Sequence, residues 1–94
     1  MAWKTERSYA GKSSSEIYQA TKKVIENLAG KYGLQHRGDD AALAGSVSRM
    51  GVDGTYKATG DKMVIELSYG FLIPGALRQK VQDEVTRQLD GLFA

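Results

Sequence analysis

The chain has 94 residues, of which 41% are hydrophobic and 26% charged, and its net charge is +2. That balance fits one globular domain and argues against wholesale disorder. Cysteine is absent, which excludes disulfides, thiolate metal sites and cysteine nucleophiles.

Residues 2–9 alternate Trp3, Thr5, Arg7 and Tyr9 with Lys4, Glu6 and Ser8. Alternation of bulky and charged side chains predicts a strand at a sheet edge. Gly11 ends it. Ser13 and Glu16 have the spacing of a capping box, which predicts a helix start. Ile17, Ala20, Val24, Ile25, Leu28, Ala29 and Tyr32 then recur at steps of three and four on one helical face. Gly30 or Gly33 is expected to stop the helix, with Lys31 near the negative end of its dipole.

Residues 34–37 read as a short extended piece, an additional strand, and Gly38-Asp39-Asp40 as a turn. Three runs with period two follow, at 41–49, 52–59 and 62–70. Their inward sets are Leu43, Gly45 and Val47; Val52, Gly54, Tyr56 and Ala58; and Met63, Ile65, Leu67 and Tyr69. Short connectors at 49–51 and 59–62 predict hairpins and so an antiparallel meander. Pro74 disfavours helix at Ile73, so the second helix is expected after it. Leu77, Val81, Val85, Leu89 and Leu92 form its apolar stripe. The expected fold is α+β, of order β-α-β-β-β-α with the extra strand at 34–37. It has a four- to five-stranded antiparallel sheet and both helices on one face. One domain is expected over residues 1–94.

Chemistry-bearing motifs are sparse. His36 is the single histidine and has no nucleophile motif beside it, so a surface or edge-strand role outweighs a general base. Asp39-Asp40 lacks the ligand spacing of a calcium loop and is explained by a turn. Gly51-Val52-Asp53-Gly54 lies at a strand start, where neither a phosphate loop nor a dinucleotide fingerprint belongs. Gly54 inside a strand signals close packing. Tyr56 and Tyr69 fall among core residues, which argues against a stacking platform for nucleic acid. No cofactor or metal is expected. Residues 1–37 hold seven basic and three acidic residues, read as a solvated helix face. No apolar run reaches the roughly 18 residues of a membrane span. The charged N-terminus lacks a secretory apolar core, so a cytoplasmic location is expected.

The stretch from Phe71 to Leu77 carries no charge. Its bland reading is a cap on the core. Its functional reading is an apolar contact surface built by Phe71, Leu72, Ile73 and Leu77.

Gly51-Val52-Asp53-Gly54-Thr55, Asp61-Lys62-Met63-Val64-Ile65-Glu66-Leu67 and Gly70-Phe71-Leu72-Ile73-Pro74, with the helix after them, resemble a small bacterial family. This is the polyhydroxyalkanoic acid system family, also called the polyhydroxyalkanoate granule region family. The resemblance spans roughly residues 5–93. It implies a setting in storage-polyester biology and supplies no catalytic residues to carry over. Members often have an aromatic where this chain has His36-Arg37. The element order is also similar to part of the helix-grip fold of lipid-binding proteins, although 94 residues are too few for its full cavity. The resemblance implies a non-enzymatic accessory protein whose partner is the granule surface, a granule-associated protein or a second copy. The alternatives are a carrier of a small apolar ligand and, last, an enzyme using His36.

Overall fold

The computed structural model describes residues 2–70 and 73–93. Its elements are β1 (Ala2–Ser8), α1 (Ser14–Tyr32), β2 (Gln35–Asp39), β3 (Ala44–Arg49), β4 (Val52–Thr59), β5 (Lys62–Tyr69) and α2 (Gly75–Asp90). All strand pairs are antiparallel, in the order β1-β5-β4-β3-β2. The last four strands form the expected meander. β1 returns to cover β5, which leaves β1 and β2 as the edges.

The helix boundaries follow from local chemistry. Ser13 accepts a hydrogen bond from the Glu16 amide, and Glu16 accepts one from the Ser13 amide, so both halves of the capping box form. Gly33 closes α1 at φ 68°, a left-handed cap that glycine adopts without strain. α2 starts after Pro74, whose extended backbone supplies no side-chain cap.

Period two decides the sheet. Tyr56 and Ala58 on β4, with Met63, Ile65, Leu67 and Tyr69 on β5, are buried, while their neighbours are exposed or half-buried. Both helices lie on this face and contribute Ile17, Tyr18, Ile25, Leu28, Ala29, Val85 and Leu89 to one core. The other face of the sheet is polar. Gly54 is a packing glycine: a Cβ there would come within 2.7 Å of Leu67 and 2.9 Å of Val47.

Four readings of the sequence need correction. The extra strand runs to Asp39, so Gly38 pairs with Gly45 inside the sheet and the turn begins only at Asp40. Leu43 is a turn residue at φ 53°, outside the strand, although its side chain still packs against the core. Asp39 holds that turn by accepting from the amides of Ala41 and Ala42, and Leu43 passes its carbonyl to the Ala58 amide. Ile17, Ile25, Leu28 and Ala29 of the expected α1 stripe are buried, but Tyr18 and Thr21 are fully buried too, so the stripe is wider than the expected one, with Ala20 and Val24 half-buried. Leu77 is 39% exposed although it sits on the apolar stripe of α2.

Candidate functional site

A groove opens where the β3–β4 turn meets the first turns of α2. Tyr32, Leu34, Arg49, Met50, Val52, Tyr69, Ile73, Leu77 and Val81 line it, around a volume of about 220 Å³. The residues come together because β3 and β4 end at this side of the sheet and the chain leaves β5 on the same side. The Gly70 amide donates to the Gly51 carbonyl at 2.7 Å, which ties the β5 exit to the β3–β4 turn. Gly51 takes φ 85°, and a Cβ there would come within 3.0 Å of Ile73 Cδ1. Ile73 therefore rests on the turn and is half-buried.

The mouth is apolar and open. Met50 is 95% exposed at the tip of the turn, and Leu77 faces it from α2. A solvated turn tip gains nothing by holding a methionine, whose thioether and methyl prefer an apolar contact. Inward, Tyr32, Leu34 and Val81 continue into a gap of about 30 Å³ between the helices, floored by Ile65 and Leu67 and walled by Ile25, Leu28 and Val85. Outside that gap Lys31 of α1 reaches Glu84 of α2 at 3.6 Å. A hydrogen bond from Arg87 holds the Glu84 carboxyl below the usual carboxylate range.

Two polar groups border this apolar lining. The Arg49 guanidinium donates to the Tyr32 carbonyl at 2.6 Å, satisfying an orphan acceptor at the C-terminus of α1. The Tyr32 hydroxyl is buried and has no hydrogen-bond partner among the described residues. Buried hydroxyls are usually paired, so this one is an unused donor in the groove wall.

The expected contact residues fall partly here. Ile73 and Leu77 line the groove. Phe71 and Leu72 lie outside the described residues. Met50, Tyr32 and Leu34 escaped the sequence reading. The available signal was an apolar Met50 inside a hairpin connector.

His36 lies in a second polar cluster that runs along β2, from His36 beside the groove end of the strand to Asp40 just past its other end. Its Nε2 is 2.6 Å from the Tyr56 hydroxyl, with the two rings stacked. Tyr56 in turn stacks on Tyr18. The Tyr18 hydroxyl donates to Asp40 at 2.6 Å, and Lys22 donates to the same carboxylate oxygen at 3.0 Å. Gly45 has no Cβ because the Tyr56 ring occupies that space. Burial pushes the Tyr56 phenol up to about 12, and burial followed by the bond to Asp40 raises Tyr18 further. The bond from Tyr18, then that from Lys22, holds Asp40 below its ordinary value. Phenols so placed keep their protons at neutral pH, and the carboxylate is already engaged. The cluster clamps the β2–β3 hairpin onto α1.

No His, Cys, Asp and Glu grouping suited to a metal ion occurs among the described residues. No helix among them is long and apolar enough to cross a membrane.

A five-stranded antiparallel sheet with one face covered by two helices, and an apolar groove at one end, defines a two-layer α+β scaffold. Solved structures that are similar to it include two from Parabacteroides and Bacteroides sources. One is a TBP-like protein from Parabacteroides distasonis, at TM-score 0.61 and 12% identity over 71% of this chain and 53% of that one. The other is a DUF4468 family protein from Bacteroides ovatus, at TM-score 0.58 and 14% identity over 71% of this chain and 52% of that one. The chain thus spans about half the length of these structures, and at such identities the likeness is one of fold. No curated protein matches the sequence. The family model described as "Putative polyhydroxyalkanoic acid system protein" matches residues 10–93, and the chain belongs to that family.

Proposed function

We propose that this chain is a non-enzymatic accessory protein that docks on the surface of polyhydroxyalkanoate granules through the groove mouth formed by Met50, Ile73 and Leu77. The carrying observation is Met50, 95% exposed beside an open apolar groove in a member of this family. Burying each such side chain contributes about 1.5–3 kcal/mol, so three together support weak, reversible docking. The location that goes with this role is the cytoplasm. A role without catalysis is supported by His36 being held by Tyr56, beside phenols that keep their protons.

A second reading, a carrier of a small apolar ligand, is favoured by the Tyr32 hydroxyl, whose unused donor matches a ligand carbonyl. The inner gap of about 30 Å³ holds little more than one water, so an acyl chain needs the helices to part.

Cosedimentation with protein-free amorphous polyhydroxybutyrate particles tests the docking reading. The parent protein is expected in the pellet, and the double variant Met50→Ser, Leu77→Ser in the supernatant, with circular dichroism confirming its fold. Both positions are exposed, so the fold should survive. Equal pelleting of the two proteins places the contact elsewhere. Binding only to native granules that retain their proteins makes the partner a granule protein. A ligand retained in native mass spectrometry, without particle binding, favours the carrier.

A further inference from the structure

We propose that β1 pairs antiparallel with β1 of a second copy of this chain, about a two-fold axis through Thr5. Among the described residues β1 is an outer strand that pairs only with β5, over seven residues in unbroken register. The Tyr9 amide donates to the Asp61 carbonyl at 2.7 Å, one step beyond the Ser8–Lys62 pair. Backbone groups alternate along an antiparallel strand. Trp3, Thr5 and Arg7 therefore turn their amides and carbonyls towards β5, while Ala2, Lys4, Glu6 and Ser8 turn theirs towards the free edge. The Glu6 carbonyl agrees: it accepts from the guanidinium of Arg7 at 2.9 Å, which it does only by facing off the sheet. Apart from that side-chain bond, no strand among the described residues covers this edge, and an edge of this length invites another strand. The Lys4 amide of the second copy would take the place of the Arg7 guanidinium on the Glu6 carbonyl, while Arg7 keeps its bond to Asp90.

The side chains select one register. With the axis at Thr5, Lys4 lies opposite Glu6 of the second copy, and Glu6 opposite its Lys4. Trp3 and Arg7 meet in the non-hydrogen-bonded pairs, where side chains approach closest and a guanidinium can lie over the indole. Every pairing except that of Thr5 with its own copy occurs twice by symmetry. The two neighbouring registers with the same backbone phase are centred on Lys4 and on Glu6. Each sets like charges directly opposite, which destabilises a strand pair. Lys4 and Glu6 are both well exposed and share one sheet face, 3.6 Å apart within the chain. They are free to exchange that contact for two across the axis. The axis is normal to the sheet, so the joined sheet keeps all its helices on one side and the groove mouth of each copy stays open.

Charge swapping tests the register. In sedimentation equilibrium from about 10 to 500 µM the parent chain is expected to dimerise reversibly. Lys4→Glu and Glu6→Lys each set like charges opposite and are expected to dimerise about tenfold more weakly, the loss expected when two cross-strand pairs turn repulsive. The double variant Lys4→Glu, Glu6→Lys restores complementarity and regains the dimer. An equimolar mixture of the two single variants is expected to form a heterodimer. Amides of Lys4 and Glu6 should exchange more slowly as concentration rises, while those of Thr5 and Arg7 stay protected throughout. A monomeric parent at 500 µM, single variants that associate as the parent does, or a mixture that stays monomeric overturns the proposal.

Discussion

A methyl group added at Gly54 tests the packing of sheet against helices. In a roomy strand position Gly→Ala stabilises by about 0.4–1 kcal/mol, through the entropy of the unfolded chain. Here the new carbon would sit 2.7 Å from Leu67 Cδ2 and 2.9 Å from Val47 Cγ2, well inside ordinary contact, with the Glu66 backbone at 3.6 Å behind. Both neighbours are buried and cannot retreat freely. Overpacking of this kind costs about 1–3 kcal/mol, so the steric term wins and Gly54→Ala destabilises. For a chain of this size, with total stability of about 5–10 kcal/mol, the melting temperature should fall by roughly 4–8 °C per kcal/mol. Leu67→Ala alone should cost about 2–5 kcal/mol through the cavity it leaves. The double variant places the Gly54 methyl into that cavity. Its cost should fall short of the sum of the single costs by about 1 kcal/mol or more, the signature of contacting residues. Urea titrations followed by circular dichroism measure all four corners of the cycle. Additive costs, or a stabilising Gly54→Ala, would refute the close approach of β4, β3 and β5 at this point.

Other expectations rest on the polar contacts. Tyr56→Phe leaves the His36 ring without its phenol partner and should cost about 1–3 kcal/mol in a urea titration. The phenols of Tyr18 and Tyr56 are raised in the fold, so their contribution is complete below pH 10, the unfolded value, and is lost as pH climbs towards about 12. The urea midpoint should fall over that window together with phenolate absorbance, and a midpoint flat to pH 12 contradicts the cluster. Asp40 is lowered, so its contribution is present above its ordinary carboxylate value and disappears as pH falls through the folded one. Asp40→Asn should flatten that acid limb. Ser13→Ala removes the capping box and should cost about 0.5–2 kcal/mol, mostly as fraying of the first turn of α1 in amide exchange.

Period two in β4 and β5 made most of the fold legible, because one face of those strands joins the helices in a single core. The Ser13 and Glu16 spacing located the start of α1, since a capping box is wholly local. Leu43 was not legible: its left-handed turn depends on Asp39 accepting two amides, and alternation alone began the strand three positions too early. Tyr18 and Thr21 were obscured because a tyrosine and a threonine beside Ala20 look like a polar flank. Their burial depends on the sheet closing over α1, where Gly38 leaves room for the Tyr18 hydroxyl and Gly45 for the Tyr56 ring stacked on it. At the groove, Ile73 and Leu77 were marked by their charge-free surroundings. Met50 gained its meaning only when the Gly51–Gly70 contact brought the β3–β4 turn beside α2.

Amide exchange of the whole chain, with and without polyhydroxybutyrate particles, addresses docking through the groove mouth most directly. Slowed exchange or line broadening is expected, confined to residues 49–52 and 73–81, with the His36 cluster unchanged. Protection centred on residues 35–40, or particle binding that leaves 49–52 and 73–81 untouched, contradicts it.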